Sequence, residues 1–279
     1  MADSRYSPSA RRRRLSALLK RMREERKLKI DDVNKNLGWA SGKLSRMERN
    51  EWKLPSPRDM KDLAEVYDLS EEMREAVVSL AREARLRGWW VEFRDVLRGG
   101  LADFETGASL IRTFEGLLTP GLLQTPDYAA AVLRGGRVLS STDIDRKVAG
   151  RMRRQEVLAS DDPPRLWAVI DEAALRKRVG GDDVMTAQIR HLIGMAERPN
   201  VDIQVLRDSA GSHAAMDGSF MILDFPDPAD LPLVYMETAT EDLYLEKPQV
   251  IQHYVSVFGH ICSAAESPEA SVAFLESLI

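Results

Sequence analysis

The stretch Leu37–Asn50, LGWASGKLSRMERN, decides how the N-terminal part of the chain folds. Gly38 supplies a small residue where two short helices must turn sharply. Val33 and Leu37 before it, with Trp39, Leu44 and Met47 after it, are spaced to bury one side. The other side of the second helix then carries Ser41, Gly42, Lys43, Ser45, Arg46 and Arg49. Ser41 is the expected N-cap, which puts Gly42 and Lys43 in the first turn. A basic face opposite an apolar one is what a helix entering the major groove needs. With no side chain at Gly42, the helix start is expected to approach the DNA backbone or a base edge closely.

Outward from this stretch, apolar residues keep the helical period. They fall at Leu15, Leu18, Leu19 and Met22, at Ile30, Val33 and Leu37, and at Met60, Leu63, Ala64 and Tyr67. Ser56-Pro57 before the last group is a cap followed by a proline suited to a first helical position. The pattern predicts an all-α helix-turn-helix domain over 15–69, with a connecting helix over 70–88. Residues 1–14 end in Arg11-Arg12-Arg13-Arg14 and carry too little apolar surface to pack, so a flexible basic arm is expected there.

Charge divides the chain in the same place. Residues 1–58 hold 17 Lys/Arg against 7 Asp/Glu, while the remainder holds 23 against 37. A basic segment followed by an acidic one fits a phosphate-neutralising module joined to a domain that a nucleic acid would repel. Arg46 is the leading candidate for bidentate contact to guanine O6 and N7, and Lys43 the second. Ser41, Ser45, Arg49, Asn50 and Lys53 are assigned to phosphates, and the arginine arm to phosphates or the minor groove. Trp52 fits either a sugar contact or local packing.

Leu15–Leu69 resembles the Xre/phage-repressor-like helix-turn-helix family. The segment LKRMREERKLKIDDVNKNLGWASGKLSRMERNEWKLPS aligns with that family's motif without a gap through turn, recognition helix and following proline. The resemblance implies a compact five-helix domain, used as a dimer on a two-fold DNA site. It also implies that Arg23 and Glu48 form a buried ion pair whose job is scaffold. Three positions depart from the motif: Ile30 and Asn34 in the second helix, and Asn50 where a glycine is usual. Asn50 still suits the left-handed turn of a helix end.

After Gly88 the pattern becomes mixed α/β. LWAVID (166–171), VDIQVL (201–206), SFMILDF (219–225) and LVYMET (233–238) read as strands of a small sheet; 143–158, 182–196, 248–262 and 268–278 read as helices. TPGLLQTPDYA (119–129) is a turn that either wedges helices or lines a pocket with Gln124 and Tyr128. Trp89 and Trp90 are the other candidate pocket residues, or else aromatic packing at the boundary. Arg151, Arg153 and Arg154 are expected to pair with acidic residues across a helix face. Asp171, Glu172, His213 and Glu237 suggest acid/base chemistry only if the fold brings them together. No catalytic residue, cofactor or metal site is assigned, because His213 has no neighbouring ligand and Gly180-Gly181 follows a helix rather than a strand.

Residues 89–279 resemble the antitoxin-like domain that follows Xre-like modules in a large bacterial regulator family, through GWW (88–90), TPGLLQTPDYA, RMRRQEVL (151–158), DEAALR (171–176), GSF (218–220) and VYMET (234–238). That resemblance implies a domain sensing a small molecule or a small protein encoded nearby. The expected protein is a cytoplasmic, dimeric transcription regulator acting on double-stranded DNA, not an enzyme. The alternative is an antitoxin-like protein that sequesters its partner. One cysteine, no apolar run of membrane-spanning length and no leader-like segment fit that placement.

Overall fold

The computed structural model describes residues 8–52, 54–86, 88–93, 95–97, 100–136, 140–228, 230–238 and 240–279. The chain divides into two compact units, 6–91 together with the short segment 227–230, and 92–226 with 231–279.

The first unit is helical: α1 (Pro8–Glu25), α2 (Ile30–Asn36), α3 (Lys43–Glu48), α4 (Pro57–Val66) and α5 (Glu71–Glu83). One core unites all five, with Leu15, Leu19 and Met22 meeting Val33, Leu44, Met47, Met60, Leu63, Tyr67, Val77 and Leu80. Local chemistry sets several ends. Ser56 Oγ accepts the N–H of Asp59 at 3.3 Å ahead of Pro57, and Ser70 Oγ accepts the N–H of Met73 at 3.3 Å. Asn50, with φ of 57°, takes the left-handed conformation expected of it.

Three expectations are corrected in this unit. The arginines are not an arm: Arg11 to Arg14 lie in the first turns of α1, where Ala10 is buried and Arg13 is only 8% exposed. A helix starting at Pro8 buries Ala10 as well as Leu15, which the low apolar content of 1–14 concealed. Ser41 is not the N-cap. Gly42 holds that position with φ of 77°, a left-handed geometry that L residues avoid, and it offers no side-chain cap. The helix over 70–88 is not a mere connector either, since α5 buries Val77, Val78, Leu80 and Ala81 in the same core.

The second unit is built on a six-stranded mixed sheet in the order β3-β2-β1-β4-β5-β6. The strands are β1 (Leu110–Glu115), β2 (Arg165–Asp171), β3 (Val201–Leu206), β4 (Phe220–Asp224), β5 (Leu233–Glu237) and β6 (Asp242–Leu245). β1, β2 and β3 are parallel, and β4 to β6 follow antiparallel. The parallel pairs need crossovers, supplied by α7 (Pro126–Gly135) and α8 (Ser141–Gln155) between β1 and β2, then α9 (Glu172–Arg176) and α10 (Asp182–Ala196) between β2 and β3. α6 (Leu101–Gly107) precedes β1. α11 (Pro248–Ala264) packs Ile251, Val257, Phe258 and Ile261 on Phe114, Val169, Phe220, Ile222 and Val234 of the sheet. α12 (Pro268–Glu276) covers the β3 edge, where Ser271 Oγ accepts the free N–H of Val205 at 2.9 Å. The four strands read from sequence are present; β1 and β6 are additional.

Candidate functional site

The recognition helix α3 is only six residues long, so its placement depends on neighbours. From α2, buried Asn34 reaches across the turn, and its Oδ1 accepts the N–H of Leu44 at 3.2 Å. That bond replaces the cap that Gly42 cannot provide. From α1, Arg23 grips the far end of α3 with a two-pronged ion pair: Nε donates to Glu48 Oε1 at 2.6 Å and Nη2 to Oε2 at 2.8 Å. The side chains are 12% and 4% exposed, and the Glu48 hydrogen bond raises the Arg23 pKa. Arg23 Nη1 also donates to the carbonyl of Leu28 at 3.0 Å. Both bonds hold α3 as a rigid rod on the bundle.

The side chains assigned to DNA differ in what already holds them. Lys43 Nζ sits 2.8 Å from Asp59 Oδ2 and 3.9 Å from the ring centre of Trp39. Arg49 is paired with Glu51 at 2.8 and 2.9 Å. Asn50 Oδ1 accepts from Arg12 Nε at 3.1 Å, which draws the end of α3 against α1. Arg11 lies 3.4 Å from Glu83, and Arg14 pairs with Asp227. Arg46, by contrast, is exposed and has no ion-pair partner among the described residues. Its guanidinium lies over the start of α3, where a Cβ on Gly42 would stand 3.4 Å from Nη1. Ser41 is exposed and Ser45 half-buried; Lys53 falls outside the described residues. Trp52 is tied down by its Nε1 donating to Ser16 Oγ at 2.9 Å, so it belongs to local packing.

The second unit contains an open cavity of about 430 Å³ beside the C-terminal ends of β1 and β5. Glu115, Gln124, Arg151, Arg154, Ser219 and Glu237 supply its polar wall. The turn at 119–125 is fixed by amides. Gln124 Nε2 donates to the carbonyl of Thr119 at 2.7 Å, Gln155 Nε2 donates to the carbonyls of Gly121 and Gln124 at 2.9 and 2.8 Å, and Gln188 Oε1 accepts from Thr125 N at 2.7 Å. Gln124 therefore turns its Oε1 outward, where Arg151 Nη1 donates to it at 2.6 Å. Behind the wall, Arg154 Nε stands 2.9 Å from the fully buried Glu105 carboxylate. Burial pushes Glu105 up to about 7 against the opposing pull of Arg154. Burial likewise raises Glu115 to about 7, and burial with the adjacent Arg154 lowers Arg151 to about 10.

A family model described as a domain of unknown function (DUF5753) matches residues 99–277, and a helix-turn-helix domain model matches residues 14–77. The chain belongs to the DUF5753 family. No curated protein and no solved structure matches it. This DUF5753 protein thus carries a helix-turn-helix DNA-binding domain at its N-terminus, as a DNA-binding regulator does. Among the described residues no helix is long and apolar enough to cross a membrane.

Of the four candidate pocket residues in the DUF5753 protein, only Gln124 lines the cavity. Tyr128 is buried behind the turn, its hydroxyl accepting from Thr119 N at 3.1 Å. Trp89 and Trp90 belong to the first unit and stack edge-on with centres 6.2 Å apart. Sequence reasoning missed Glu105 and Glu115, because the short helix α6 and the strand β1 that carry them have no motif of their own. The arginines on α8 divide as follows: Arg154 meets Glu105, Arg153 meets Glu156, and Arg151 meets a neutral amide. His213 does approach Asp171, with Nε2 3.6 Å from Oδ2, while Glu172 is engaged by Arg176 and Arg207 at 2.6 and 2.8 Å and Glu237 belongs to the cavity.

Proposed function

We propose that this protein is a sequence-specific transcription regulator whose recognition helix reads DNA chiefly through Arg46, and whose DUF5753 domain senses a small molecule in its cavity. The observation that carries the first half is the contrast along α3. Lys43 and Arg49 are neutralised by Asp59 and Glu51, whereas Arg46 stands exposed on a helix clamped at both ends. A rigid helix presenting a guanidinium with no ion-pair partner among the described residues suits bidentate readout of a guanine, because the fork matches the O6 and N7 acceptors. Glu172 is spent on Arg176 and Arg207 and so is poorly placed for acid/base work with His213, which favours a regulator over an enzyme.

The protein acts as a homodimer on a two-fold site in this reading, and the sensing domain shifts DNA affinity through differential binding of its ligand. A band-shift with the DNA upstream of its own reading frame tests it, run with the native protein and with Arg46→Ala. Losing Arg46 is expected to cost on the order of 1–3 kcal/mol of specific binding while unfolding stays unchanged. Equal affinity for scrambled DNA, or an indifferent Arg46→Ala, would sink the proposal.

A further inference from the structure

The chemistry of the DUF5753 cavity narrows what it can accept, and this step rests on the sensing role proposed above. Its apolar wall comes from Leu101, Leu118, Val132, Leu133, Met221 and Met236. Among its charged groups, Arg154 is already answered by Glu105 at 2.9 Å. Glu115 leans on Ser219, which keeps part of its charge satisfied. Of the cavity's two arginines, Arg151 has no carboxylate within ion-pair distance among the described residues; Glu115 and Glu237 act on it from farther away, and its bonded partner is the uncharged Gln124 oxygen at 2.6 Å. A partly buried guanidinium facing an amide is under-compensated, and a ligand anion would complete it with charge-assisted hydrogen bonds. The guanidinium is also pre-placed, since Gln124 is locked by Thr119 and its carbonyl by Gln155. Glu115 and Glu237 on the same wall oppose a second negative charge, so a monoanion fits better than a dianion.

We propose that the cavity binds an amphipathic monocarboxylate, its carboxylate on Arg151 and its apolar body against Leu133, Met221 and Met236. A cavity of about 430 Å³ lies in the range of ordinary small-ligand sites.

The test uses the full-length protein with three probes of equal chain length, octanoate, 1-octanol and octylamine, measured by titration calorimetry near neutral pH. Octanoate is expected to bind about ten-fold tighter than 1-octanol or better, and octylamine weakest. Arg151→Gln should abolish octanoate's advantage over 1-octanol, and Arg151→Lys should restore part of it. Met236→Trp, which fills the apolar end, should weaken both octanoate and 1-octanol. No octanoate binding, octylamine binding as tightly as octanoate, or an unchanged preference in Arg151→Gln would each overturn the assignment. Repeating the band-shift with octanoate separates the two readings. Octanoate that binds without altering DNA affinity upholds the ligand class and removes the sensing role. A native protein that binds its operator but ignores octanoate removes the ligand class alone.

Discussion

Asn34 Oδ1 accepts the backbone N–H of Leu44 at 3.2 Å, so a side chain on the second helix closes the open end of the third. Gly42 makes this necessary, because an N-cap glycine leaves the first N–H groups of α3 without a side-chain acceptor. Asn34→Ala should therefore cost about 1 kcal/mol of stability, as loss of an N-cap does. Asn34→Asp, which keeps the acceptor and adds a charge suited to a helix N-terminus, should cost less. Urea unfolding of the three proteins measures the difference. Equal midpoints for Asn34→Ala and the native chain would show that the bond carries no net stability.

Gly42 has a second role that substitution should expose. At φ of 77° an alanine would be strained by about 1–2 kcal/mol. Its Cβ would also touch Arg46 Nη1 at 3.4 Å, an ordinary contact that a flexible side chain can escape. The expected result for Gly42→Ala is thus a lower unfolding midpoint with specific DNA binding reduced only in proportion to the unfolded fraction. Gly42→Asn should be milder, since Asn tolerates the left-handed region. A large loss of DNA affinity in a fully folded Gly42→Ala would point instead to close DNA approach at this position.

How much of this was legible in sequence depended on how local each relationship is. The turn at Gly38 and the apolar face through Leu44 and Met47 follow from residue spacing, the ion pair between Arg23 and Glu48 was implied by the family resemblance, and the structure shows each of them. The Asn34 cap joins a side chain to a backbone group ten positions later, which no periodicity marks. Strand β1 was hidden by its own chemistry. LIRTFE lies at the sheet centre, yet it carries Arg112, neutralised across the ladder by Asp224 at 2.8 Å. Read alone, a charge in mid-strand breaks the apolar run. The cavity was hidden for the same reason: Arg154 sits in a recognisable basic helix, but Glu105 lies far earlier in the chain.

The clamp between Arg23 and Glu48 should behave as a buried pair. Glu48→Ala leaves a guanidinium that is 12% exposed with the carbonyl of Leu28 and the more exposed Glu24 carboxylate, 3.5 Å from Nη2, as remaining partners, and about 3 kcal/mol of stability should be lost. Replacing both residues, Arg23→Met with Glu48→Leu, should recover much of that loss, since no unpaired charge remains. A double-mutant cycle by urea unfolding reads the coupling. Single variants within experimental error of the native protein would mean that water already solvates the pair.

Arg154 and Glu105 should give the protein a pH-dependent weak point. Glu105 is fully buried and its folded pKa of about 7 lies above the ordinary 4.5. A carboxyl raised on folding favours the neutral form, so the stability it allows is complete below about pH 4.5 and is lost as pH rises through about 7. Arg154 is the group that limits this loss, being the nearby charge that holds Glu105 down. In Arg154→Met the Glu105 pKa should climb further, and the ionised form should become more costly. The variant is expected to unfold with a deficit of about 1.4 kcal/mol near pH 8, one pH unit above the native Glu105 value, shrinking toward zero near pH 5, where Glu105 is neutral in the folded state. Urea midpoints at the two pH values decide it. A deficit of equal size at both would show that Arg154 acts through packing rather than through the Glu105 charge.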